Sequence, residues 1–398
     1  MKISSTAKKA IMLATLCSIA YFAVYIARNI LSAVTPQMIE LGFTEAYIGQ
    51  ISSLYFVFYA VGQLINGIIG DKVKAKWMMT LGLALAGIMT LIFPIIIKSS
   101  FGATMVYGMT GFFLSMIYAP MTKVISENME EYMATRCSIG YTFASLFGSP
   151  AAGILAAIFT WQVTFYSSSI FLVVMAFLVA MFFTIFEKRG IVKYKAYDKT
   201  TEKVKIDVKL LIKRDIIKFT IVSILTGIIR TSVVFWLPTY ISQYLSFSAK
   251  ESAEIYTVVT LIISLTAFFA IFIYEKLGRR RDFTMLLYFI TSGVSFLLCY
   301  IISSPFINIA FMVIAIMAAN SAATILWSVY CPSMHDTGLV STVTGFLDFA
   351  SYMAAALANV LFANAATTIG WKNLLLVWTG IIALGVINTI LPIKKKTK

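Results

Sequence analysis

Polar residues in this chain are confined to short gaps between long apolar runs. A run of about 20 apolar residues is the length that crosses a hydrocarbon core as a helix. Twelve such runs can be read, at 10–36, 46–70, 77–97, 101–125, 138–160, 164–186, 216–243, 254–275, 283–303, 305–331, 340–364 and 371–392. Inside lipid a spanning segment must satisfy its own backbone hydrogen bonds, so each run predicts an α-helix. The expected fold class is an all-α membrane protein with twelve transmembrane helices. Segment 187–215 interrupts the pattern, being polar, mixed in charge and without a spanning run. It predicts a basic linker between two six-helix halves, 1–186 and 216–398.

Composition agrees with the pattern. The chain is 60% hydrophobic and only 12% charged, with a mean hydropathy of +0.89. A bilayer, unlike water, tolerates that much apolar surface. The net charge of +15 would suit nucleic acid only if it formed a compact basic domain, and it does not. The basic residues crowd into alternate gaps instead. One set of gaps holds Lys72, Lys74, Lys76, Arg136, Lys276, Arg279, Arg280, Arg281 and ten Lys/Arg in 187–215; the other holds only Lys98, Lys250 and Lys372. By the positive-inside rule the first set is cytoplasmic, and with an even number of crossings both termini lie on that side. The location expected is a cell membrane, plasma or inner, and the expected state is a monomer in the lipid bilayer.

Catalytic and cofactor chemistry find no footing. The sequence offers no nucleophile elbow, no phosphate-cradling glycine loop and no metal-ligand spacing, so neither an enzyme nor a cofactor is expected. The four cysteines, Cys17, Cys137, Cys299 and Cys331, lie in or beside apolar runs without a C-x-x-C, which argues against a metal or disulfide role. No cleavable signal is expected, because the first span is too long for one.

The halves echo each other. Arg28 precedes Pro36 by eight residues, and Arg230 precedes Pro238 by eight. LGFT at 41–44 matches LSFS at 245–248, GIIGDK at 67–72 has a degenerate echo in YEKLGRR at 274–280, and Trp161 and Trp371 each open the last helix of a half. Parallel repeats of this size mark secondary transporters with a site near mid-membrane.

Arg28 and Arg230 are the candidate site. A guanidinium stays charged in a dry environment, so one deep in a span needs a cavity or a partner. Its planar fork binds phosphate or carboxylate oxygens in bidentate fashion. Tyr21, Tyr25 and Arg28 share a helix face at i, i+4, i+7, and Tyr59 and Gln63 form an i, i+4 pair on helix 2. Asp348 and Tyr352 form another on helix 11. Asp348 could carry a proton, bind a cationic part of a substrate, or pair with Arg230 in the empty site. The bland alternatives are snorkelling for the arginines and helix packing for the tyrosines. Lys123 is expected to snorkel.

With those residues in view, the chain resembles the major facilitator superfamily, and within it the organophosphate:phosphate antiporters, which include the glycerol-phosphate and hexose-phosphate transporters. Gly67-x-x-x-Asp71-Lys72 resembles the superfamily's loop between helices 2 and 3, in incomplete form. Tyr21, Tyr25, Arg28 and Pro36 match the antiporters' helix 1 pattern. Arg230, Trp236, Pro238, Thr239 and Tyr240 match R-x5-W-x-P-T-Y on helix 7. Tyr59, the pair Pro120 and Lys123, and the set Gly345, Phe346 and Tyr352 complete the resemblance. It implies a small anionic substrate held by Arg28 and Arg230, with Tyr21, Tyr25, Tyr59, Gln63, Tyr352 and Asp348 around it. It implies a conformational latch of Gly67, Asp71 and Arg136. Asn29, Gln63 and Phe147 stand where those antiporters carry further basic groups, and Asp348 adds an acid. Coupling to a proton or to a counter-anion both stay open, as do a carboxylate or sugar-acid symporter and a sugar-phosphate sensor.

Overall fold

The computed structural model describes residues 5–70, 73–129, 147–194, 208–331, 333–334 and 340–390. Among these, 11 helices are long and apolar enough to span a membrane: α1 Lys9–Glu40, α2 Glu45–Gly67, α3 Ala75–Ile96, α4 Ser100–Ile125, α6 Trp161–Lys188, α7 Ile216–Gln243, α8 Ala249–Lys276, α9 Arg281–Ile301, α10 Pro305–Tyr330, α11 Val343–Thr368 and α12 Gly370–Ile390. The shorter apolar helix Phe147–Ile158, here α5, is the described part of the run expected at 138–160. The twelve apolar runs therefore all carry helix. Several helices begin before their apolar runs. α6 starts at Trp161 instead of 164, and α8 at Ala249 instead of 254, because intrahelical bonding continues past the point where hydrophobicity ends.

The chain forms two units: residues Met1–Thr201 with Ala249–Leu261, and residues Glu202–Ser248 with Ile262–Lys398. The first half of α8 thus belongs with unit 1. Gly153 on α5 explains why, since a Cβ there would collide with the Thr257 hydroxyl.

Within unit 1, α3 packs on α6 and α4, α2 on α4, and α1 on α6. Within unit 2 the pairs recur six helices later: α9 on α12 and α10, α8 on α10, and α7 on α12. The repeat in the sequence is thus a repeat of helix pairings. Small residues create these contacts, as they do where lipid removes the hydrophobic drive between helices. Ser169 on α6 donates to the Gly87 carbonyl on α3 at 2.7 Å. In unit 2, Ser292 on α9 donates to the Ala315 carbonyl on α10 at 2.8 Å. Along α7 and α11 the register is carried by Ser223 to the Leu347 carbonyl at 2.7 Å, by Gly227 pressed against Ser351, and by Ser232 to the Ala355 carbonyl at 2.8 Å.

Helix breaks are mended by side chains. α4 is interrupted at 115–117, where the Ser115 hydroxyl donates to the Phe112 carbonyl at 2.6 Å. Asn66 of α2 donates to the Ser115 hydroxyl at 2.7 Å. Such partners re-satisfy backbone groups that lipid would leave bare. At the N-terminal ends of α7 and α9, Lys218 is buried and lies 3.1 Å from Asp282. Next to it Arg281 pairs with Asp282 at 3.2 Å and with Asp215 at 3.5 Å. Its guanidinium lies 4.6 Å from the Phe219 ring.

Candidate functional site

In each unit an arginine deep in a membrane span stands half-buried among aromatic rings. In unit 1, α1 carries Tyr21, Tyr25 and Arg28 along one face, as their spacing requires. α2 brings Phe56 and Tyr59 against them. The guanidinium carbon of Arg28 lies 5.5 Å from the Tyr25 ring centre, 5.7 Å from Phe56 and 5.2 Å from Tyr59. Rings at that range attract a cation by about 0.5–2 kcal/mol each, more as water is excluded. Tyr21 meets Tyr25 edge-on at 4.9 Å and Tyr118 at 5.5 Å. α5 fixes this group from behind, because Gly148 lets its backbone touch Tyr25 directly. Gln63 is half-buried one turn further along α2.

Asn29 does not extend the cationic group. Its amide donates to the Tyr25 carbonyl four residues earlier, at 2.7 Å, and so serves the helix backbone. Lys123 donates to the Gly70 carbonyl at 3.0 Å, tying α4 to the C-terminal end of the helix that contains α2. Phe147 is an exposed side chain on α5.

In unit 2, Arg230 stands in a π-helical segment, Ile228–Val233, within α7. α10 ends in another, Leu326–Tyr330, which carries Trp327. Such widened turns often occur at functional sites. The Arg230 guanidinium carbon is 5.9 Å from the Trp327 ring and 5.9 Å from the Tyr352 ring. Its Nη2 is 3.9 Å from Asp348 Oδ1. That is an ion pair without hydrogen-bond geometry, and Nη2 is shielded from solvent without a hydrogen-bond partner among the described residues. Tyr352 is buried and Asp348 partly exposed.

Two further residues of the helix 7 pattern, Tyr240 and Trp236, pack inside unit 2. Tyr240 donates to Asn308 Oδ1 at 2.5 Å and packs beside Trp371 and Trp378. Trp236 is fully buried, 6.4 Å from Trp371. Of the expected latch, Asp71 and Arg136 lie outside the described residues. Gly67 has open space where a Cβ would stand.

The sequence reading missed Phe56, Tyr118 and Trp327. An aromatic ring inside an apolar span carries no polarity signal, so only the Tyr21–Tyr25–Arg28 and Asp348–Tyr352 spacings pointed toward them. Chemically, the two groups can hold oxyanions on guanidinium forks and stack flat or cationic groups on rings. Among the described residues no group of three or more His, Cys, Asp or Glu is placed to hold a metal ion.

The glycerol-3-phosphate transporter of Bacillus subtilis is 21% identical over 257 residues, covering 59% of this chain and 58% of that protein. The membrane sensor protein UhpC of Salmonella typhimurium is 28% identical over 74 residues, covering 18% of this chain and 17% of that protein. The chain thus spans less than two thirds of the length of these curated relatives. Among solved structures, a bacterial homolog of the human lysosomal transporter Spinster, inward-facing and occupied, superposes with a TM-score of 0.79 at 10% identity, over 95% of this chain and 96% of that one. The D-xylose–proton symporter gives 0.70 at 13% identity, over 99% and 100%. At those identities the likeness is one of fold. The sequence model of the Major Facilitator Superfamily matches residues 17–359, and the chain belongs to that superfamily.

Proposed function

We propose that the protein is a secondary transporter that moves a small phosphorylated metabolite across a cell membrane by alternating access, with both termini cytoplasmic. Arg28 of unit 1 and Arg230 of unit 2 engage the anion. The observation that carries this reading is the matched pair itself. Each unit holds a guanidinium inside a membrane span, at the same place in the repeat, ringed by aromatic side chains. An intramembrane arginine is costly enough that function is its default explanation. When the anion is bound it offsets the like charges of the two arginines, which favours movement of the loaded carrier over the empty one. The likeness to a glycerol-3-phosphate transporter supports a phosphate ester over other anions. Coupling by exchange of anions fits a carrier that moves mainly when loaded.

A second reading has its own observation. The match to a membrane sensor protein supports a receptor that binds the same ligand without moving it. Uptake of radiolabelled glycerol 3-phosphate and inorganic phosphate into proteoliposomes, with and without internal anion, separates the two. Accumulation that depends on trapped anion supports the exchanger. Saturable binding without flux supports the sensor, and neither binding nor flux of any phosphate ester rejects both.

A further inference from the structure

The pairing inside unit 2 points beyond a simple anion. Arg230 and Asp348 sum to zero charge, and their side chains stand 3.9 Å apart. A phosphate group that approaches Arg230 therefore meets a carboxylate at nearly the same place. That carboxylate opposes a purely anionic substrate, since like charges in a shielded site repel strongly. Yet Asp348 does not saturate the guanidinium, because Nη2 has no hydrogen-bond partner among the described residues. Arg230 is thus paired at a distance, with Nη2 buried beside the carboxylate, while the side chain keeps 33% exposure through which an oxyanion can reach the rest of the fork.

Two rings complete the arrangement. Trp327 and Tyr352 each lie 5.9 Å from the guanidinium carbon, and Tyr352 sits one turn from Asp348 on the same helix. Aromatic faces beside a carboxylate are the chemistry that receives an ammonium group. We propose that Asp348, Trp327 and Tyr352 form a subsite for a cationic group on the substrate, and that the cargo is a zwitterionic phosphate ester of the aminoalkyl phosphate class. The phosphate takes Arg230, and the amine takes Asp348 and the two ring faces. This rests on the phosphate-ester reading above and narrows it.

The test compares phosphoethanolamine with ethyl phosphate, which keeps the ester and lacks the amine. Both are offered to the full chain in proteoliposomes as competitors of, and partners in, counterflow. Wild-type protein is expected to show a KM about tenfold lower for phosphoethanolamine, the size of one well-placed cation–ring and charge contact. Asp348→Asn is expected to raise the KM for phosphoethanolamine and lower that for ethyl phosphate. Opposite shifts in one variant cannot come from misfolding, and the wild-type comparison stands even if the variant fails to insert. Equal or better use of ethyl phosphate by wild type would overturn the proposal while leaving the phosphate-ester reading intact. So would ethyl phosphate uptake that is driven by acid pH and loses that dependence in Asp348→Asn, since it assigns the carboxylate to a proton. Failure of both esters where glycerol 3-phosphate still binds or moves would overturn this inference alone, and failure of all three would overturn the phosphate-ester reading with it.

Discussion

Replacing Arg230 by lysine keeps the charge and removes the guanidinium fork, which makes it the sharpest perturbation of unit 2. The pair with Asp348 at 3.9 Å amounts to about 4 kcal/mol as point charges at an effective dielectric near 20. Both side chains keep partial exposure, 33% and 24%, so solvent screening reduces this to about 1 kcal/mol. Lysine retains most of that contribution. What it loses is the planar fork, worth about 1.5–3 kcal/mol for charge-assisted hydrogen bonds to an oxyanion. It also gives up stacking over Trp327 and Tyr352, at about 0.5–1 kcal/mol per ring. Together these give about 2.5–5 kcal/mol, or a fall in kcat/KM of roughly 70- to 5000-fold. The assay is counterflow of a phosphate ester in proteoliposomes with matched amounts of folded protein, checked by a monodisperse elution profile in detergent. A variant within threefold of wild type would refute the assignment of Arg230 to the anion.

Four further outcomes follow from the packing. Gly148→Leu drives a side chain into Tyr25 and should raise KM by displacing the rings around Arg28, seen in the same counterflow assay. Gly227→Val forces α7 off Ser351 on α11 and should cost about 1–3 kcal/mol, read as a lower thermal midpoint in detergent. Asp282→Asn leaves the buried ammonium of Lys218 without its carboxylate, so the midpoint should fall by the equivalent of about 2–3 kcal/mol. Tyr240→Phe removes the bond to Asn308 and should destabilise by about 1–2 kcal/mol while leaving KM unchanged, which separates this structural tyrosine from Tyr25 and Tyr59.

Much of the architecture was legible because one physical rule governs it. A run long enough to cross hydrocarbon must be helical, and the apolar runs carry helices with ends displaced by a few residues. The arginines were legible for the complementary reason, since a permanent charge inside such a run needs an explanation. Less legible was everything that depends on apolar contact. Nothing in the sequence sets Phe56 and Trp327 apart from other aromatic residues in apolar runs, and only the packing of α2 on α1 and of α10 near α7 turns them toward a cation. The π-helical turns at Ile228–Val233 and Leu326–Tyr330 contain no proline themselves, and Pro238 and Pro332 a few residues further on do not by themselves announce a widened turn. Asn29 illustrates the limit for polar residues. Its position beside Arg28 suggested a changed site, whereas its amide is spent on the Tyr25 carbonyl. Asp348 was open to three roles in the sequence, and the structure adds that it stands 3.9 Å from Arg230.

The central claim is that Arg28 and Arg230 act on one anion. It is tested most directly by counterflow of labelled phosphate ester into proteoliposomes, run on wild type, Arg28→Lys, Arg230→Lys and the double variant. The account predicts that each single variant loses nearly all counterflow, and that the double variant loses little more, because both residues serve the same bound group. Wild-type counterflow in either single variant, or losses that simply multiply in the double variant, would contradict it.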